Sequence, residues 1–280
     1  MPIRVIFSTG SLYVADTSYC FALAAEAGYD GIELMIDDRI TTRQPEYLQH
    51  LSATYQLPIL VLHTPFSPTL PGWKNAQPEL TRVQRTLELA KQIGAERIVV
   101  HLPSKVSRAT LRVGNQQWGF PWFSTFYDFQ EWMSNGGLKA LQATTPIQLA
   151  IENMPTRKFF GVALNTAWWN TVEEWSKVHD HLTLDTTHWG TFGIDPRVAL
   201  QAAGERVKHI HLSNYAHGQE HRLPQDGELD LAGFLHDLTR MNFSGTVCLE
   251  LSPDALAFDT PKATRRKMRE ALDFCRQHLG

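Results

Sequence analysis

The sequence predicts an α/β protein of the closed (β/α)8 architecture, the TIM barrel, built as a single domain. Three observations carry this. Eight short runs rich in β-branched and aliphatic residues alternate with longer stretches of helical periodicity over 280 residues, one unit per 35 (280/8), and parallel βαβ units of that number and period close into a barrel. No glycine-rich phosphate fingerprint follows the first run, as a dinucleotide-binding open sheet needs. No linker or low-complexity tract breaks the chain, so although about 150 residues per domain would allow two units, one domain over residues 1–280 is expected.

The strands are expected at 3–7, 31–34, 59–62, 97–100, 147–151, 182–184, 207–210 and 246–249. Helices are expected at 18–27, 43–55, 78–93, 124–143, 171–179, 195–203, 231–240 and 262–278, several ended by Gly or bounded by Pro. Gly28 closes the first of them. The connection from 103 to 124, after the fourth strand, is too long for a plain turn and reads as a lid or wall.

Charge and cysteine content exclude several function classes. The 26 Lys and Arg against 29 Asp and Glu leave a net charge of −3, so no polyanion-binding surface is advertised and nucleic acid is not an expected partner. Cys20, Cys248 and Cys275 have neither metal-ligand nor disulfide-framework spacing, which suits a reducing compartment without disulfides. No run of 18 apolar residues and no leader pattern is seen, so a cytoplasmic protein without membrane contact is expected. The twelve histidines and eight tryptophans are unusual for this size, and their positions carry the functional reading.

In a barrel the site lies at the C-terminal mouth, so the residue ending each strand is the informative one. Six strands end in His63, His101, Glu152, Asp185, His211 and Glu250, and four of these are followed within three residues by Pro, which cannot continue a sheet ladder. Val61, Val99, Ala150, Thr183 and Cys248, two residues earlier, are small or apolar, as an interior layer requires. Carboxylates and imidazoles converging on one point are costly to bury without a cation, and the mixture suits Zn²⁺, Mn²⁺ or Co²⁺ better than Ca²⁺. Taken singly, each acid could instead cap a helix and each histidine could be a satisfied core residue. Glu152, Asp185, His211 and Glu250 together, all at one face, fit metal ligation better than four separate caps. His63 and His101 could instead bind substrate or a neighbouring carboxylate. His209 lies one layer deeper and reads as a packed core histidine. Glu33 ends the second strand, and its motif leaves a ligand role and a structural one equally open. His50, His179, His181, His236 and His278 fall on helices or their ends and read as surface residues.

The stretches 28–34, 101–103, 151–153, 184–188, 209–212 and 221–230, among them Ile151-Glu152-Asn153 and His209-Ile210-His211-Leu212, resemble the xylose-isomerase-like TIM-barrel superfamily over nearly the whole chain. That superfamily comprises sugar and sugar-phosphate isomerases and epimerases, together with apurinic-site nucleases of the endonuclease-IV type (AP endonuclease family 2). From the ketose-epimerase branch the resemblance implies that Glu152, Asp185, His211 and Glu250 hold a catalytic divalent ion and that the two glutamates also shuttle protons. From the nuclease branch it implies a trinuclear zinc site in which His63, His101, His188 and His221 join as ligands. One ligand of that pattern departs: an aspartate two residues before His221 is Gln219 here, which puts the third metal in doubt, and Gln225 replaces a loop glycine.

The expected function is therefore a metal-dependent isomerase or epimerase of a small sugar, sugar phosphate or related polyol, with one or two divalent ions. One of Glu152 and Glu250 would take a proton toward a metal-stabilised enediolate and the other would return it. His188 and Arg222 would orient substrate hydroxyls, while Trp118, Phe120 and Trp122 of the strand-4 connection would roof a small carbohydrate. The alternatives are a zinc phosphodiesterase acting at abasic DNA and a metal-retaining binding protein without turnover; a homo-oligomer is compatible with each. Against the nuclease, the loops after the first two strands carry Asp16, Asp37 and Asp38 against Arg39 alone, a poor grip for duplex phosphates.

Overall fold

The computed structural model describes residues 2–66, 70, 73, 78–113, 116–123, 128–159 and 161–280, with side chains for all of these except 106–113, 116–123 and 159. In chain order the elements are β1 (Arg4–Ser8), α1 (Thr17–Ala27), β2 (Ile32–Met35), α2 (Pro45–Tyr55), β3 (Ile59–His63), α3 (Glu79–Ile93), β4 (Arg97–His101), β5 (Val106–Val113) and β6 (Gln116–Phe123). There follow α4 (Asp128–Ser134), α5 (Gly137–Gln142), β7 (Gln148–Glu152), β8 (Arg157–Phe159), β9 (Val162–Leu164), α6 (Val172–Val178), β10 (Leu182–Asp185), α7 (Thr186–Thr191) and α8 (Pro196–Ala203). The chain ends with β11 (Val207–Leu212), β12 (Asn214–Ala216), β13 (Gln219–Arg222), α9 (Leu231–Arg240), β14 (Thr246–Leu249) and α10 (Pro261–Leu279).

Eight of the strands close on one another in the order β1-β2-β3-β4-β7-β10-β11-β14, with β14 returning to β1, all parallel. This is the closed (β/α)8 barrel that the 35-residue period predicts. Alternation of side chains sorts the strands into two faces. Phe7, Leu34, Leu62, Ile98, Ile151, Leu184, Ile210 and Val247 join the helices in a continuous outer core, while Ile6, Val61, Val99 and Cys248 form a small separate cluster inside the barrel. That interior plug lies one step below the strand ends. Register then sets the site: β4 pairs β7 with His101 opposite Glu152, and β10 pairs β11 with Asp185 opposite His211. Partners in a parallel ladder face the same side, so each pair projects into the mouth at one height.

Local chemistry ends the helices where the sequence marks them. Gly28, at φ 94°, closes α1 with its N–H on the carbonyl of Ala24, a left-handed position that glycine occupies without steric cost. Thr171 caps α6, its Oγ1 accepting the Glu174 N–H at 3.2 Å and donating to the Glu174 carboxylate at 2.9 Å, and Asp195 and Asp230 cap α8 and α9.

Two expectations, the helix over 124–143 and the surface position of His179, need correction. The helix expected at 124–143 is, in its described part, two short helices broken at Asn135-Gly136, where Gly136 turns at φ 78° and the Trp132 ring lies against Gly137 so closely that a Cβ there would sit 2.2 Å from its Nε1. The connection over 103–124 contains an antiparallel hairpin, β5 with β6, paired from Val106–Phe123 to Val113–Gln116. Trp189 is fully buried against Trp175 on the helix side. His179, expected on the surface, is buried. No helix among the described residues is long and apolar enough to cross a membrane.

The buried His179 ring meets His181 edge-on at 5.9 Å, and its Nε2 has no hydrogen-bond partner among the described residues. Burial, reinforced by His181, pushes the imidazole down from its ordinary 6.5 to about 4. A histidine whose folded value is depressed takes up its proton more readily in the unfolded chain, so its contribution is complete above about pH 6.5 and is lost as pH falls toward 4. Thermal stability is expected to decline between pH 7 and pH 5, with a shallower decline in His179→Gln. Calorimetric melts across that range check this, and identical slopes refute it.

Candidate metal centre

Four carboxylates and one histidine crowd the top of the barrel interior. His211 is fully buried; its Nδ1 lies 2.9 Å from Glu152 Oε1, 3.0 Å from Glu250 Oε2 and 3.7 Å from Asp185 Oδ2, and its Nε2 lies 2.9 Å from Glu33 Oε2. Burial alone would discharge this ring, but the charges of Glu250, Glu33 and Glu152 outweigh it and hold His211 protonated well above its usual range. Burial pushes the carboxyls of Glu152 and Glu250 up, yet the His211 charge and its hydrogen bonds prevail. Glu152 sits well below the ordinary carboxylate range and Glu250 at about 2. Asp185 goes the other way. Burial, then the charges of Glu250 and Glu152, raise it well above its ordinary value.

Asp185 also shows what is missing from this balance. Its Oδ1 accepts the His188 N–H at 2.8 Å and so caps α7, whereas the buried Oδ2 has no hydrogen-bond partner among the described residues. The helix-cap reading and the ligand reading both apply, one to each oxygen. A buried carboxylate oxygen without a partner costs free energy, and a cation among Glu152, Asp185, His211 and Glu250, whose ligand atoms lie within 4.8 Å of one another, relieves it. The residues present fit a divalent ion.

Two further groups share these acids. His63 donates Nδ1–H to the Thr64 carbonyl at 2.8 Å, leaving Nε2 at 3.3 Å from Glu152 Oε2, and His101 brings its Nε2 to 3.2 Å from the same oxygen and 3.3 Å from His63 Nε2. Burial pulls both rings down; the Glu152 hydrogen bond reverses this for His63 but not for His101. Phe66, in the loop after β3, lays its ring over both, at 5.2 and 4.3 Å between centroids. Asp185, His188 and His221 form the third group. His188 places Nδ1 2.7 Å from the Asn153 carbonyl, and burial drives its imidazole to about 3, so it presents a neutral Nε2. His221 adopts φ 56° in β13 and is held by Ser213 Oγ and the Glu250 carbonyl.

All eight of the proposed metal-binding side chains thus converge. Arg222 does so less freely, since its guanidinium is paired with Asp226 and Gln219. Trp118, Phe120 and Trp122 belong to β6, and their side chains lie outside those described. Sequence reasoning undervalued Glu33 and Asn153. Asn153 grips the β10 backbone through both amide atoms, accepting from Asp185 N at 2.8 Å and donating to its carbonyl at 3.1 Å. Its place beside Glu152 in a strand-end motif was the available signal. A cavity of about 930 Å³ opens beside Glu250 and His221, walled by Tyr13, Asp37, Phe66 and Phe258.

Compared with known proteins, residues 21–278 match the family described as xylose isomerase-like TIM barrel. Uncharacterized proteins of Mycobacterium leprae and Mycobacterium tuberculosis H37Rv are each 27% identical, over 99% of this chain and 98% of their own. Among solved structures, the chain resembles an apo 3-keto-D-glucoside 4-epimerase from E. coli (TM-score 0.67, 17% identity, 97% of this chain and 99% of that one). It also resembles a D-psicose 3-epimerase with D-tagatose from Clostridium cellulolyticum H10 (TM-score 0.69, 14% identity, 99% of each). An AP endonuclease family 2 protein from Brucella melitensis has the same fold (TM-score 0.62, 16% identity, 93% of this chain and 99% of that one).

The purified chain is expected to take up at least one divalent ion per molecule, and Glu152→Ala or His211→Ala to abolish uptake. Elemental analysis after metal add-back measures this. If His63 and His101 also ligate, anomalous scattering will locate a second ion about 3.5–4 Å from the first; a single ion with both rings turned elsewhere assigns them to substrate.

Proposed function

Because the chain belongs to the xylose isomerase-like TIM-barrel family, we propose that it is a metal-dependent isomerase or epimerase of a small sugar, sugar phosphate or related polyol. The observation that carries this reading is the pair Glu152 and Glu250, two carboxylates within 3.0 Å of one imidazole nitrogen at the mouth of the barrel. Held by Glu152, Asp185, His211 and Glu250, a divalent ion supplies Lewis acidity that polarises a substrate carbonyl and acidifies the neighbouring C–H. Both glutamates are ionised at neutral pH. One removes the proton, and the other returns one to the neighbouring carbon or the opposite face. Glu250 borders the open cavity, whereas Glu152 is buried in contact with His63, His101 and His211. The neutral Nε2 of His188 orients a substrate hydroxyl. Arg222 does the same at the rim once drawn from Asp226. Three buried free cysteines suit a reducing compartment, and the proposal includes a cytoplasmic location.

The gathering of Asp185, His188 and His221 favours a second reading, a phosphodiesterase acting at abasic DNA. Two observations weigh against it. Gln219 stands where that pattern has an aspartate and accepts from Arg222, and the Arg39 guanidinium is taken up by Asp37 and by the carbonyls of Thr9, Leu12 and Ala15. Little cationic grip for a duplex is left in this part of the rim.

Incubation with candidate ketoses in deuterated water tests the proposal. Metal-dependent exchange at the carbon beside the carbonyl is expected, reduced about 10²–10⁴-fold in Glu152→Gln and in Glu250→Gln. Metal-dependent incision of an abasic duplex, lost in Glu250→Gln, overturns it in favour of the nuclease; tight ligand binding with no exchange across the panel leaves a binding protein.

A further inference from the structure

A continuous line of buried polar groups runs up the barrel axis from its N-terminal end to the mouth. Arg97, the first residue of β4, donates Nη1–H to Thr246 Oγ1 at 2.8 Å, and Thr246 Oγ1 lies 2.7 Å from His209 Nδ1. His209 Nε2 is 2.8 Å from Glu33 Oε2, the same oxygen that lies 2.9 Å from His211 Nε2, and Ser8 donates to Glu33 Oε1 at 2.9 Å. Thr246, His209, Glu33, Ser8 and His211 are fully buried.

The protons in this line can be ordered in only one direction. A guanidinium donates and never accepts. Thr246 oxygen receives the Arg97 proton and shares its second hydrogen bond with His209 Nδ1; the order is set at Glu33, a carboxylate, which only accepts. His209 must then carry its ring proton on Nε2 and give it to Glu33. Glu33, an acceptor already taking protons from His209 and Ser8, also takes the Nε2 proton of His211. The Nδ1 of His211, whose proton lies between Glu152 and Glu250 in the metal-free chain, is left as the nitrogen from which a bound cation displaces a proton.

We propose that Glu33 is a positioning residue that fixes the His211 tautomer, so that His211 ligates through Nδ1, with Arg97, Thr246 and His209 holding Glu33 in that role from the floor of the barrel. The proposal rests on the metal-binding reading above and adds to it a carboxylate that contacts no substrate. Outer partners of this kind orient a ligating ring and raise its basicity.

The test uses the full chain loaded with Zn²⁺. Affinity is read by competition with a chromophoric chelator, the tautomer by long-range nitrogen–proton correlation on histidine-labelled protein, and folding by circular dichroism. Glu33→Ala is expected to weaken zinc binding about 10–100-fold and to remove the Nε2-protonated signature of His211. Glu33→Gln, whose carbonyl oxygen still accepts both ring protons, is expected to keep that signature and lose roughly 3–10-fold, and it decides alone if the alanine variant does not fold. Variants within about twofold of the wild type, or His211 bound through Nε2 in the wild-type holo chain, overturn the proposal while leaving the metal centre standing. A wild type that takes up no zinc overturns the reading of the site and this proposal with it.

Discussion

Packing Glu33, Glu152, Asp185 and Glu250 around the single imidazole of His211 is the constraint on which the rest of this structure turns. Each carboxylate needs a compensating partner at the largely buried top of the barrel interior. His211 serves Glu33 with one nitrogen and crowds the others around its second. The remaining histidines share out what is left: His209 on Glu33, His63 and His101 on one oxygen of Glu152, and His188 behind Asp185. Much of the unusual histidine content is thereby explained by charge.

The layer beneath makes this crowding tolerable. Ile6, Val61, Val99 and Cys248 fill the centre of the barrel, so the acids rest on a packed apolar plug instead of on a water-filled channel. One polar line passes beside that plug, and each donor in it meets an acceptor. Removing one member of such a line strands its neighbours, which is costlier than never having buried them.

The architecture was legible because its signals are periodic. Strand spacing, and a chemistry-bearing residue at the end of each of six strands, follow from alternation along the chain, and all eight proposed metal-binding residues do meet. What the sequence concealed depends on contacts between distant segments. Glu33 and His209 are 176 residues apart, and nothing in either motif says that they touch. His179 sits where a helix ends, ordinarily an exposed place, and is buried by what packs over it. The hairpin over 106–123 has no clean apolar alternation to separate it from a loop, and the break at Gly136 depends on where the Trp132 ring comes to rest.

Among the described residues, three connections at the mouth are hairpins: β5 with β6, β8 with β9, and β12 with β13. Each closes its own hydrogen-bond ladder, and the last also carries His221, whereas the other acids and imidazoles of the site lie on the barrel strands, at their ends or on α7. The molecule is in this sense two machines of different heritability: a reactive floor in which every group answers to several others, and a rim of self-contained inserts. Exchange of the β5–β6 or β8–β9 insert alters which molecule is admitted without reopening the electrostatic problem below it, whereas the β12–β13 insert is tied to that problem through His221.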